Sequence, residues 1–184
     1  MEEMLPVTLP VRASDVAGRR ERSFELAPDA ETRAAIAASL EIETLDSLLF
    51  RGVLRPLGRT DVLLEGRLQA RAVQACVVTL APVVTNVDQA ITRRYIDGLE
   101  MPEGDEIEMP EDDTTEPLPE VIDLGAVALE ALALALPDYP RAEGAGLGEV
   151  VFAPPGVAPL TGDALKPFAG LAALKGLIED KDKP

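Results

Sequence analysis

The stretch DVLLEGRLQARAVQACVVTLAPV, residues 61–83, decides the fold because its apolar and charged side chains alternate. The apolar residues that recur on one face are Val62, Leu64, Leu68, Ala70, Ala72 and Cys76. The polar residues on the other face are Glu65, Arg67, Gln69 and Arg71. A repeat of two residues is typical of a strand with one buried and one solvated face, as in antiparallel sheets. The stretch therefore predicts a half-buried antiparallel strand.

The neighbouring segments keep this period and extend the strand into a meander. Residues 44–55 are predicted as a strand followed by a turn over residues 56–59, and residues 83–96 as another strand. Residues 5–11 also alternate and predict an edge strand, where prolines are tolerated. We expect these strands to form one antiparallel sheet, which is barrel-like if it closes.

Helical spacing appears on both sides of this sheet. Residues 28–40 are rich in Ala and open with Pro28, which suits a first helical turn. Residues 123–136 carry a wide apolar face behind Asp123, a good N-cap residue. A short third helix is predicted after Pro167. The expected fold class is α+β, with the sheet packed by two to three helices.

Charge is segregated along the chain, whose net charge is −16. Residues 95–140 contain fourteen acidic residues and no basic one, whereas residues 51–94 contain seven arginines and three acidic residues. We expect a single domain over residues 1–184, with an acidic, proline-rich flexible loop at 98–120 and a charged tail at 179–184.

The chain has no His and only one Cys, which limits the catalytic and metal-binding reactions that it can support. Without His it lacks the commonest general base and the commonest zinc ligand. We therefore expect no enzyme activity, no catalytic residues, no metal and no cofactor. The apolar run at 121–136 is too short to cross a bilayer, and the N-terminus lacks a secretory signal. These features predict a cytoplasmic protein without a membrane partner.

Cys76 has two interpretations. A buried thiol on an apolar strand face needs no partner, whereas a reactive thiolate needs a nearby cation or helix N-terminus. Its neighbours Val73, Val77 and Val78 supply neither. The sequence favours a packing role.

Three segments together carry a family resemblance: ACVVTLAPV at 75–83, VIDLGAVALEALALALPDYPRAEGA at 121–145 and KPFAGLAALK at 166–175. In this order they resemble the YceD-like family of large-subunit ribosomal RNA accumulation proteins, in the form found in alphaproteobacteria. The resemblance implies support for synthesis, processing or stability of that RNA in the cytoplasm, and it implies no catalytic residues.

One departure from the family pattern concerns metal binding. Many members carry additional cysteines, one beside the position of Cys76 and others after the helix. Here residues 77–80 contain no second Cys, and the chain after Pro140 reads RAEGAGLGE. A zinc function is therefore not expected.

The candidate RNA-binding residues are arginines on or near the predicted strands: Arg51, Arg55, Arg67, Arg71, Arg93 and Arg94. Arg67 and Arg71 lie four apart, hence on one strand face, and the others join them if neighbouring strands pair in register. The planar guanidinium fork suits phosphate. The alternative is a solvated face on which Glu65 and Asp88 pair with the arginines. Since no aromatic residues interleave, only backbone contact is expected.

The candidate partner-binding residues are acidic and lie in the predicted loop: Glu103, Asp105, Glu106, Glu108, Glu111, Asp112 and Asp113. Their spacing does not match a calcium loop. A solvated insert and a contact with a basic ribosomal protein or assembly factor both remain open.

From these patterns and the resemblance we predict a non-enzymatic ribosome biogenesis factor. Its expected partner is large-subunit ribosomal RNA or the pre-ribosomal particle, contacted through arginine and phosphate. The alternative is an adaptor that binds a basic ribosomal protein or assembly factor through the acidic loop without touching RNA.

Overall fold

The computed structural model describes residues 5–99 and 114–146. The chain divides into two compact units, residues 1–145 and 146–184, and the elements below all belong to the first. In chain order they are β1 (Pro10–Arg12), a 3-10 turn (Ala13–Asp15), β2 (Arg22–Leu26), α1 (Ala30–Ser39), β3 (Thr44–Leu57), β4 (Asp61–Ala75), β5 (Pro82–Ile96), β6 (Thr115–Pro117), β7 (Val121–Asp123) and α2 (Leu124–Ala135). The single domain over residues 1–184 and the charged tail stay predictions.

Five strands form the main sheet, in the order β2-β3-β4-β5-β6. Neighbours from β2 to β5 are antiparallel, and β6 alone runs parallel to β5. The long strands β3, β4 and β5 form the predicted meander and span 14, 15 and 15 residues. The expected α+β class and antiparallel sheet are confirmed.

The main sheet is open, so the barrel-like form is not confirmed. Its edges are β2 and β6, which have five and three residues and are not paired with each other. Strands this short line only part of their long neighbours.

The N-terminal strand does not join the main sheet, which corrects the expectation. β1 pairs with β7 in a separate two-stranded sheet. Asp123 explains this position, because its Oδ1 accepts a hydrogen bond from the backbone N–H of Leu9 at 2.8 Å. The N–H of Leu124 in turn donates to the carbonyl of Leu9 at 3.0 Å. The edge strand beside β3 in the main sheet is β2 instead.

Both helices predicted in the described part are confirmed. Asp29 caps α1 by accepting from the N–H of Thr32 at 2.9 Å, and Asp123 caps α2 by accepting from the N–H of Gly125 at 2.8 Å. The third predicted helix, after Pro167, lies outside the described residues. No helix in the described part of the chain is long and apolar enough to span a membrane.

The core lies against one face of the main sheet, here called the core face, and its centre is Phe50. This residue is fully buried and contacts the ring of Phe24 at a centroid distance of 4.9 Å. Gly66 makes room for the ring, since a Cβ on this residue would lie 2.6 Å from Cε2 of Phe50. The other fully buried strand residues are Leu54, Val62, Leu64, Leu68 and Ala72. The opposite side of β3, β4 and β5 is the outer face.

Candidate nucleic-acid interface

The outer face carries five of the six predicted arginines. Arg51 and Arg67 are direct cross-strand partners, and Leu63 lies between Arg55 on β3 and Arg94 on β5. Residues that pair in register point to the same side of a sheet. The five arginines on the outer face are Arg51, Arg55, Arg67, Arg71 and Arg94, and all five are exposed.

Arg93 is the exception, which corrects the expectation that it shares their face. Successive residues of a strand point to opposite sides, so Arg93 and Arg94 cannot both face outward. Arg93 pairs in register with the buried Leu64 and is only 15% exposed. Its guanidinium donates to Glu116 of β6 at 2.7 Å and contacts Glu130 of α2 at 2.9 Å. Arg93 therefore joins three elements on the core face.

The electrostatics around Arg93 favour the cation. Burial opposes the charge, but the hydrogen bond with Glu130 and the carboxylate of Glu116 raise the pKa of Arg93. Burial, and next the negative charge of Glu116, raise the pKa of the neighbouring Tyr95 to about 12. Both groups keep their ordinary protonation state at neutral pH.

Three outer-face arginines are held by carboxylates. Arg67 donates from Nε and Nη2 to the two carboxylate oxygens of Asp88, at 2.5 and 2.9 Å. This hydrogen bonding raises the pKa of Arg67 and lowers the pKa of Asp88. Arg71 lies 3.2 Å from Asp46. The outer face thus follows the solvated, paired alternative at these positions.

Arg55 is held from two sides, by Glu65 at 2.6 Å and by Glu21 at 3.5 Å. Arg51 differs, because its guanidinium has no carboxylate partner among the described residues, although Glu25 lies beside it in register on β2. On the outer face, arginines and carboxylates are therefore interspersed, and they do not form a uniform basic patch.

The arginines in these ion pairs remain accessible to solvent. The paired side chains remain 44% to 60% exposed on the outer face. Exposed pairs contribute about 0–1 kcal/mol each, so a phosphate can displace a carboxylate from the guanidinium. The aromatic residues of the described strands, Phe24, Phe50 and Tyr95, lie on the core face, and the exposed Tyr139 lies beyond α2 rather than on a strand, so the strands place no ring on the outer face for base stacking. Contact with a phosphate backbone is the chemistry that the surface allows.

The predicted acidic partner-binding residues, 103–113, lie outside the described residues, so their role stays a prediction. Glu116, at the end of the predicted loop, is described and is engaged by Arg93. Within the described part, no group of three or more His, Cys, Asp or Glu residues could hold a metal ion.

Cys76 lies just after β4 and is fully buried. Its Sγ accepts a hydrogen bond from the N–H of Ala142 at 3.3 Å, and the N–H of Val77 donates to the carbonyl of Pro140 at 2.9 Å. The turn after β4 therefore contacts the chain beyond α2.

The surroundings of Cys76 favour a thiolate. Hydrogen bonds from the backbone of Ala142, the side chain of Thr79 and the backbone of Val78 lower the pKa of the thiol to about 6, although burial opposes this. Two of these donors are backbone groups, which the side chains next to Cys76 in the sequence do not reveal. No signal in the sequence places residue 142 beside residue 76.

Comparison with known proteins gives one match. A family model described as "Large ribosomal RNA subunit accumulation protein YceD" matches residues 64–175, more than half of the 184-residue chain. The comparisons find no match among curated proteins and none among solved structures. The matched residues include most of β4, all of β5 and all of α2.

Proposed function

The chain belongs to the YceD family, and from this premise we propose that it is a non-enzymatic ribosome biogenesis factor. It supports the synthesis, processing or stability of large-subunit ribosomal RNA and acts in the cytoplasm. The observation that carries the proposal is the family match over residues 64–175, whose description names accumulation of this RNA.

The non-enzymatic part of the proposal rests on the residue types in the chain. There is no His in the sequence, and the single Cys is buried behind the turn after β4. A buried thiolate that accepts backbone hydrogen bonds is stabilised, but it is shielded from a substrate. A binding role needs neither a base nor a nucleophile.

The proposed mode of action is contact between outer-face arginines and RNA phosphates. Arg51 forms no ion pair among the described residues, and its cross-strand partner is Arg67, whose guanidinium is bound by Asp88. Like charges across a strand pair destabilise a sheet. A bound phosphate between them relieves this repulsion, which supports an anion as the partner of this position.

The function is tested in cells that lack the protein. We expect the ratio of large-subunit to small-subunit ribosomal RNA to fall, and the wild-type chain to restore it. An unchanged ratio in the deletion strain would contradict the proposed function whatever surface the protein uses.

The mode of action is tested by gradient sedimentation of the tagged protein at low and moderate salt. The Arg51→Gln/Arg67→Gln/Arg71→Gln variant should leave the pre-ribosomal fractions at lower salt than the wild type. Its matched counterpart neutralises acidic residues between 103 and 113 and keeps Glu116, because Arg93 needs that carboxylate. Release of only this second variant favours the adaptor that binds a basic protein.

A further inference from the structure

A second group of arginines meets at one end of the main sheet. The turn between β3 and β4, residues 58–60, lies against the loop that leads from the 3-10 turn into β2. Gly18 of that loop has φ +62°, and a Cβ on it would lie 2.7 Å from the carbonyl oxygen of Arg59. This close backbone approach brings the adjacent Arg19 and Arg20 to the same corner as Arg59. We call these three residues the corner cluster.

Two of the nearby carboxylates, those of Asp15 and Glu21, are engaged by other arginines. Asp15 lies 3.8 Å from Arg22, and Glu21 lies 3.5 Å from Arg55. Asp61 accepts hydrogen bonds from the N–H of Asp97 at 3.0 Å and from the hydroxyl of Thr60 at 3.1 Å. Asp97 adds a further carboxylate beside Asp61 and offsets part of the local positive charge.

The three arginines of the corner cluster form no ion pair within the described residues. Arg19, Arg20 and Arg59 are all exposed, and none of them has a carboxylate within ion-pair distance in that part of the chain. An anion that binds here displaces no carboxylate, in contrast to one that binds at Arg67. Three unpaired guanidinium groups form a stronger anion site than an equal number of paired ones.

The cluster is continuous with the outer face. Arg55 and Arg94 are the last arginines of the outer face on β3 and β5 before this corner, on either side of Leu63, and Leu57 and Ile96 are the outer-face positions beyond them. A polyanion bound at the corner can therefore continue along the sheet. All three cluster residues precede the family-matched segment, which begins at residue 64, so the family match does not bear on them.

From this arrangement we infer that the corner cluster is a binding site for the phosphate backbone of RNA. The inference rests on the proposed function for the identity of the RNA, namely large-subunit ribosomal RNA. Guanidinium groups bind phosphate through paired hydrogen bonds, and several of them spread over one corner suit a repeating anion better than a single small one.

The test measures the affinity of the purified full chain for a large-subunit ribosomal RNA fragment across a series of salt concentrations. Two variants each remove three positive charges: Arg19→Gln/Arg20→Gln/Arg59→Gln at the corner and Arg51→Gln/Arg67→Gln/Arg71→Gln on the outer face. We expect the corner variant to lose about tenfold or more in affinity, and its salt slope to fall by about 2, as for two to three lost phosphate contacts. The outer-face variant should retain more affinity.

Equal affinities of the wild type and the corner variant, or a larger loss in the outer-face variant, would overturn the inference. So would a corner variant that binds free RNA normally but leaves the pre-ribosomal fractions, because its partner would then be an acidic protein surface. Circular dichroism of both variants shows whether they are folded, and Arg19→Lys/Arg20→Lys/Arg59→Lys, which keeps the charge, should recover most of the salt slope.

The failure of this inference is distinguishable from the failure of the proposed function. If the deletion strain loses large-subunit ribosomal RNA and the corner variant restores it fully, the proposed function stands and the corner site is wrong. If the deletion strain keeps a normal RNA ratio, the proposed function itself is wrong.

Discussion

Arg67 and Asp88 form a two-point ion pair across β4 and β5, with hydrogen bonds of 2.5 and 2.9 Å on the outer face. Arg67 is central among the predicted RNA-binding arginines. Within the sheet, the carboxylate of Asp88 competes with RNA phosphate for its guanidinium. RNA must exchange with Asp88 to reach Arg67. The exchange is feasible because the two side chains are 60% and 47% exposed.

Removal of this competitor should strengthen RNA binding. For Asp88→Asn we expect RNA affinity to rise about threefold at low salt, which is the effect of one unit charge several ångströms from a phosphate in water. The stability of the fold should change by about 1 kcal/mol at most. Fluorescence anisotropy with labelled RNA measures the affinity, and Asp138→Asn, beyond α2, is the matched control. Weaker binding by Asp88→Asn would show that Asp88 orients Arg67 for RNA.

Arg93 should matter for stability. Arg93→Ala leaves Glu116 and Glu130 without their shared cation and removes charged hydrogen bonds, so we expect a loss of about 2–3 kcal/mol in the free energy of unfolding. The control is Arg51→Ala, which also removes an arginine side chain, but an exposed one on β3. It should lower the free energy of unfolding by less than about 0.5 kcal/mol. Urea denaturation measures both. Similar losses in the two variants would mean that the contacts of Arg93 with β6 and α2 contribute nothing to the fold.

Cys76 should make stability depend on pH. The pKa of its thiol is about 6 in the folded chain, whereas an ordinary cysteine thiol has a pKa of 9.0. Because folding lowers this pKa, the contribution of the thiolate to stability is fully present above pH 9 and falls as the pH drops from 9 towards 6. It is lost below that value. The difference in unfolding free energy between the wild type and Cys76→Ser should therefore grow from pH 6 to 9.

The same thiolate can be observed directly. Absorbance near 240 nm should titrate with a midpoint near pH 6 in the wild type, and Cys76→Ser should show no such step. A midpoint near pH 9, together with a stability difference that is independent of pH, would mean that the hydrogen bonds from Ala142 and Val78 do not stabilise the anion.

Adding a side chain to either of the paired glycines of β3 and β4 should destabilise the fold. Gly52 and Gly66 are cross-strand partners. A Cβ on Gly52 would lie 2.2 Å from the backbone oxygen of Glu65, whereas one on Gly66 would meet the ring of Phe50. A ring can shift more easily than a paired backbone, so we expect Gly66→Ala to cost about 1–2 kcal/mol and Gly52→Ala about 3 kcal/mol or more. Thermal unfolding measures the order, and a reversed order would contradict the proposed packing.

The sequence predicts a strand and its pairing best where the residues alternate and the partner strand is next along the chain. The alternation in residues 61–75 predicted β4, and the hairpin connections made its pairing with β3 and β5 the natural outcome. Distant pairing could not be predicted in this way. β1 pairs with β7 because Asp123, 114 residues after Leu9, accepts a hydrogen bond from the backbone of Leu9.

In the candidate site, too, spacing along a strand could be predicted from the sequence, but contacts between distant segments could not. Arg67 and Arg71 were correctly placed on one face, because four residues along a strand preserve the side. Arg93 does not share this face, because it is adjacent to Arg94 on β5 and successive residues of a strand point to opposite sides. The corner cluster could not be found from sequence spacing, because Arg20 and Arg59 come together only through the backbone contact at Gly18.

The central claim is that arginines of this protein contact large-subunit ribosomal RNA, and crosslinking in growing cells tests it most directly. Ultraviolet irradiation, purification of the tagged chain and sequencing of the attached RNA should yield large-subunit ribosomal RNA, with adducts on peptides that contain residues 19–22 and 51–71. Recovery of protein adducts alone, or of RNA in proportion to its cellular abundance, would contradict the account.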